Sequence, residues 1–265
     1  YDDSYIYVAG ELNTRDASSI TINTLARDQY SADDIFAFVV DPFNDNQNAL
    51  WFLTNPAGVR FDVAISNDAN FGGGSSPMNG SWNTFWDVAT TKDGKGWYAE
   101  MRIPFSSIGF QLDDDGNAEM GIIIYRYIAS LNERHIYPAI EPNWNLGMAK
   151  PSQALDVQLS GVEAAKPLYV TPYGIGGYST FNSVNDAKNA YDKNTAMERE
   201  IGLDVKYNLT SDLTLDVTVN TDFAQVEADD QQLNFTRFSL FFPEKRQFFQ
   251  ERAGLFNVSL GRNRL

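Results

Sequence analysis

The sequence predicts an all-β protein: an antiparallel β-sandwich over residues 1–160, followed over 161–265 by the first strands of an outer-membrane-type β-barrel. Three observations predict it. Short apolar segments alternate with period two between strong turn signals, and no helical period competes with them. Aromatic residues make up 14 % of the chain, a composition that favours pleated, half-buried surfaces. Beyond the prolines at 142, 151 and 167 the texture changes to strands with one wholly apolar and one wholly polar face.

In the first region DDIFAFVVD at 33–41 is apolar on both faces, as a strand between two covered surfaces should be. VRFDVAIS at 59–66 sets Val59, Phe61, Val63 and Ile65 against Arg60, Asp62, Ala64 and Ser66. WYAEMRIP at 97–104 puts Trp97, Ala99, Met101 and Ile103 on one face. Asn55-Pro56-Ala57-Gly58, Gly72-Gly73-Gly74, the 92–96 stretch KDGKG and Asp115-Gly116-Asn117 supply the turns. In the second region GLDVKYNLT at 202–210 sets Leu203, Val205, Tyr207 and Leu209 against Asp204, Lys206 and Asn208. LTLDVTVN at 213–220 repeats the pattern, and Ser211-Asp212 offers a tight hairpin between the two. PLYVTPYGIGGYSTF at 167–181 adds girdle-like tyrosines, and Pro243 can open a short helix in a Phe-rich amphipathic connector.

Composition removes several function classes. The formal net charge is −15 and no basic cluster interrupts it, so nucleic acid is not an expected partner. There is no cysteine, hence no disulfide, thiolate metal site or cysteine nucleophile. Apolar runs such as GIIIYRYIA at 121–129 fall far short of the roughly 18 residues of a spanning helix. His135 is the one histidine, no G-x-S-x-G elbow occurs, and 35 acidic residues single out no carboxylate pair, so no catalytic residue is assigned and a non-enzyme is expected.

YDDSYIYVAGEL at 1–12, the 41–68 stretch from DPFNDNQ to AISND, WNTFWDVATT at 82–91 and GWYAEMRIPFSSIGF at 96–110 resemble a family-nine carbohydrate-binding-like module. VNTDFAQVEADDQQLNFTRFSLFFPEKRQFF at 219–249 is similar to the junction in a family of uncharacterised bacterial envelope proteins, where such a module precedes an outer-membrane barrel. Members of that family carry a further strand region before the YDD motif and more barrel after the junction. The chain is therefore expected to be a piece of a longer protein.

The resemblance implies a non-catalytic glycan-binding module in the periplasm, attached to an outer-membrane barrel. Its alternative is a plug or docking domain of a transport channel, with a protein partner and no sugar site. Sugar binding needs exposed aromatic rings beside polar groups. Trp82 follows a Gly/Ser-rich loop, and Trp144 and Tyr137 lie in a Pro-rich segment, so these three are the candidate ligand residues. Trp86 and Trp97 are expected in the core and Trp51 is open between the two. The resemblance also implies structural calcium, for which Asp33, Asp34, Asp41, Asn44 and Asp45 offer oxygen ligands between strands. QLDDDGNAEM at 111–120 fails as a calcium loop, because its twelfth position would be Ile122 where a bidentate Glu is required.

Overall fold

The computed structural model describes residues 1–220 apart from 30, 72–75, 81, 164–167, 185–189 and 210–212. The Gly72–Gly74 turn, the Ser211-Asp212 turn and the connector around Pro243 lie outside the described residues. The chain divides near residue 166 into two compact units.

The first unit is an antiparallel β-sandwich. Its smaller sheet holds β1 (Tyr5–Asn13), β7 (Gly96–Pro104) and β6 (Asp87–Lys92), in that order. Its larger sheet runs β10 (Leu155–Ser160), β8 (Asn117–Ile128), β2 (Ile35–Asp41), β3 (Ala49–Thr54), β4 (Arg60–Ile65) and β5 (Met78–Asn79), with β9 (Glu133–Tyr137) also on β8. All pairings are antiparallel. Among the described residues helix is confined to one turn, α1 (Phe105–Ile108), and several 3-10 turns. None is long and apolar enough to cross a membrane.

Alternation explains the layering. Trp97, Ala99, Met101 and Ile103 turn inward from β7 and meet Phe36, Phe38 and Val40 of β2 and Phe52 of β3 in the core between the sheets. The other side of the larger sheet is also buried. There Ala37, Val39, Trp51, Val63 and Tyr125 pack under Ile140, Leu146, Met148 and Ala149. This second core is why β2 is apolar on both faces and buried throughout. It also shows that 146–160, within the Pro-punctuated seam, belongs to the sandwich: 146–154 covers the sheet and β10 extends it.

Asparagine and aspartate close the turns by accepting backbone N–H groups. Asn55 Oδ1 accepts from Ala57 and Val59, and Asn55 C=O accepts from Gly58 N at 2.9 Å, with Gly58 at φ +74°. Asp113 Oδ1 accepts from Asp115 and Asn117, which makes the acid run at 113–117 a turn leading into β8.

The second unit, taken by itself, is a three-stranded antiparallel sheet of β11 (Leu168–Val184), β12 (Tyr191–Asn208) and β13 (Thr214–Val219). The register aligns Val170, Val205 and Val217 across one face, and Pro172, Leu203 and Val219 beside them. Thr171, Asp204 and Thr218 align on the other. Tyr173 lies across Gly202, its register partner, where any Cβ would collide with the ring; an aromatic thus covers the gap that a strand glycine leaves.

Candidate functional site

The segment from Trp82 to Trp86 is held by one buried carboxylate. Asp62 points from β4 away from the apolar side of its strand and is fully buried. It accepts hydrogen bonds from Arg27 Nη2 at 2.8 Å, Thr84 N at 2.7 Å and Trp86 Nε1 at 3.2 Å. Burial raises the Asp62 pKa above its usual value, against the lowering effect of Trp86, Thr84 and Arg27. Arg60 Nη1 adds a bond to the Trp86 carbonyl at 2.6 Å. Trp86 is thereby a core residue, as is Trp97, and Trp51 joins the second core. Trp82 is half-buried, its ring edge-on to Phe52 at 6.0 Å. The ring this segment does expose is Phe85, 66 % accessible, although it sits between Thr84 and Trp86 with no local pattern to mark it.

Trp144 is 44 % exposed and stands on a buried cation. Lys150 Nζ sits 4.6 Å from its ring centroid and 2.6 Å from Asp68 Oδ2. The ammonium also donates to the Asp68 carbonyl at 3.0 Å and to Asn70 Oδ1 at 3.2 Å. Asp68 in turn accepts from Ser152 N and Oγ, both at 2.9 Å. A lysine with almost no exposure requires such complete pairing. The arrangement fixes the 144–152 segment to the 67–70 turn and steadies the Trp144 ring from one side. No local pattern signals it, because the partners lie about eighty positions apart.

Tyr137 is 59 % exposed on β9. Ile136 packs into the second core, so alternation sends Tyr137 to the opposite side of the larger sheet. Trp144 lies with the segment that covers the second core, whereas Trp82 packs against the core between the sheets. Trp144 therefore lies on the opposite side of the larger sheet from Tyr137 and Trp82. A recess lined by residues including Thr24, Asp33, Thr54, Asn55 and Phe61 lies near the end of β3 and encloses only about 20 Å3, room for about one water rather than a sugar.

The acidic residues considered for calcium act as turn caps. Asp41 is buried and accepts from Asn46 N at 2.8 Å and from Phe43 and Asp45 N at 3.3 Å. Burial raises its pKa, more than these bonds lower it. Asp45 accepts from Gln47 N, Asn48 N and Asn48 Nδ2. Asp33 accepts from the N–H groups of Asn23 and Thr24 and Asp34 from that of Ala129; burial raises the Asp34 pKa. These oxygens face N–H donors, and among the described residues no three His, Cys, Asp or Glu side chains gather as a metal site. The geometry fits capped turns better than a hard-cation shell with six to eight oxygens.

His135 pairs with Glu133 at 2.6 Å on the exposed strand β9, both about half accessible. Such a pair is a surface contact.

The second unit carries the sharpest surface contrast. Leu168, Val170, Ile201, Leu215, Val217 and Val219 are all exposed, Ile201 at 82 %. On the reverse face Asp204, Lys206, Asp216 and Thr218 are half-buried, and Thr218 Oγ1 donates to Asp204 Oδ1 at 2.6 Å. The apolar band reaches along β11 from Leu168 to Tyr178 and along β12 from Tyr207 to Met197. Ten residues at about 3.3 Å each span about 33 Å. A strand tilt of about 40° reduces that to about 25 Å of height. Arg199 shares this face towards the Tyr178 end, where a long side chain can reach past the band's edge.

Comparison with known proteins finds likenesses to a family and to a solved structure. Residues 168–260 match a domain of unknown function (DUF5916). Among solved structures, a carbohydrate binding module family 9 protein from Caldicellulosiruptor kristjanssonii, in complex with cellotriose, is similar at 16 % identity and a TM-score of 0.35, covering 61 % of this chain and 72 % of that one. No curated protein matches the chain.

Proposed function

We propose that the chain is part of an outer-membrane protein, in which a non-catalytic, glycan-binding β-sandwich stands in the periplasm before the first strands of a transmembrane β-barrel. The observation that carries the reading is the band of the second unit. Apart from Arg199 its exposed face is free of charge, over about the height of a barrel's lipid-facing belt of ~25 Å. On the reverse, β12 and β13 carry charged and polar side chains and β11 carries Tyr169, Thr171, Tyr173 and Ile175. In water such a band is unfavourable; in a bilayer it is the required surface. Tyr178 at one edge and Tyr207 at the other take the places of interfacial aromatics. Single-chain barrels usually keep their termini on the periplasmic side, which assigns the preceding sandwich to that compartment.

Exposed rings fixed from below support the glycan part, Trp144 on Lys150 being the best held of the three candidates. The scatter of Trp82, Tyr137 and Trp144 favours a second reading, a docking domain that meets another envelope protein. Two measurements separate these outcomes. The full-length protein should fractionate with the outer membrane, resist carbonate extraction and float with liposomes; recovery in the soluble fraction would overturn the barrel. The folded chain should retain neutral glycans on a broad array; an array with no retained glycan would favour docking.

A further inference from the structure

The larger sheet's outward face is covered by the second core, whereas the smaller sheet's outward face is open. On β1 and β7 the inward positions are Val8, Leu12, Trp97, Ala99 and Met101, so Tyr7, Tyr98, Glu100 and Arg102 point to solvent. The tyrosine and arginine tips on this face are anchored. Tyr7 Oη donates to Asp2 Oδ2 at 2.8 Å and Tyr98 Oη to Asp93 Oδ2 at 3.2 Å. Arg102 bonds Asp87 of β6 at 2.5 Å and lies 5.0 Å from the ring centroid of Tyr5, itself 6.0 Å from the Tyr7 ring.

From these contacts the structure assigns the outward face of the β1-β7-β6 sheet as the surface that binds an uncharged oligosaccharide, with Tyr7 and Tyr98 as stacking rings at its two ends. The assignment rests on the glycan reading and locates it. Tyr7 pairs with Arg102 and Tyr98 with Glu11, four residues further along β1 and one strand across. At about 3.3 Å per residue and 4.8 Å per strand the two rings stand roughly 14 Å apart, room for a short run of sugar rings. Between them Ala9 and Ala89 flank Glu100 in register and leave a low floor. Glu100 and Glu11 present carboxylate oxygens along it, acceptors suited to sugar hydroxyls. Tyrosines already held by hydrogen bonds lose little rotamer freedom on stacking, which favours binding by preorganisation. The acids outnumber Arg102 on this face, so uronic or sulfated glycans would be repelled.

The test is titration of the chain with the neutral oligosaccharides that an array retains. Tyr7→Thr and Tyr98→Thr keep strand propensity and should each weaken binding about tenfold or more. Ala89→Arg leaves both tyrosines in place and should block the floor to a similar degree, so it decides the matter if a tyrosine variant misfolds. Binding should be insensitive to salt. If Ala89→Arg and the folded tyrosine variants bind as wild type while Trp144→Ala loses binding, the site lies at Trp144: the assignment fails and the glycan reading stands. Steep salt dependence with a cationic ligand overturns the uncharged class. An array with no retained glycan defeats both.

Discussion

The two units use the same period-two alternation and resolve it in opposite ways. In the sandwich, apolar faces turn towards each other or under the 140–154 segment, and β2 is buried on both sides. In the three-stranded sheet the apolar face is exposed and the polar face is the sheltered one. Alternation therefore specifies that a strand has two unlike faces, but the environment decides which face is inside. Water drives the sandwich to cover its apolar side, whereas a bilayer reverses the preference.

The contrast can be broken by matched truncations. Trp97→Ala should lower the sandwich's stability by about 3–5 kcal/mol, read from urea unfolding, because Trp97 is 1 % exposed in a close-packed core. Ile201→Ala, on the exposed band, should change aqueous stability by no more than about 0.5 kcal/mol. Equal losses would mean that the band is covered in water and the two units are not opposites.

Leu203→Arg comes next. Leu203 pairs with Pro172 near the middle of the apolar band. In bilayers of the full-length protein the charge should cost about 2–4 kcal/mol, measured as a shift in the denaturant midpoint in liposomes. The sandwich's own melt should not move. No effect in liposomes would remove lipid from that face.

Trp144→Ala should cost the sandwich about 1–2 kcal/mol by uncovering the buried Lys150 ammonium. Trp144→Phe should recover part of this, since a smaller ring still faces the cation; full loss in Trp144→Phe would show that packing rather than the cation matters.

The smallest effect concerns Asp41. Burial raises its folded pKa above the ordinary 3.8, so folding favours the protonated acid. The associated stability is present below the ordinary value and is lost as pH rises through the folded one. Asp41→Asn keeps an oxygen for the N–H groups and should flatten the stability–pH profile, with a change at neutral pH of about 1 kcal/mol or less. Chelator should leave the wild-type melting temperature unchanged, whereas a rise on adding calcium would place the ion in this loop.

Several local features were legible before the structure. The inward set of β7, the double burial of β2 and the turns at 55–58 and 113–117 follow from periodicity and from Asn, Asp and Gly chemistry, which act within a few residues. So does the split of β12 and β13 into Val205 and Val217 on one face and Asp204 and Asp216 on the other. Charge and the missing cysteines also set nucleic acid and thiol chemistry aside without any coordinates.

What tertiary structure decided was which polar residues are buried and which aromatics are free. Asp62 reads as a solvent-facing strand residue, yet Arg27 and Trp86, 35 and 24 positions away, enclose it. Lys150 reads as a surface lysine and is buried against Asp68 and Trp144. Trp82, in an apparently open loop, leans on Phe52, while Tyr7 and Tyr98 end on the sheet face that stays uncovered. Local sequence determines hydrogen bonds that close within one turn and faces that repeat every second residue. Burial depends on what the rest of the chain brings to that face, and no local pattern encodes it.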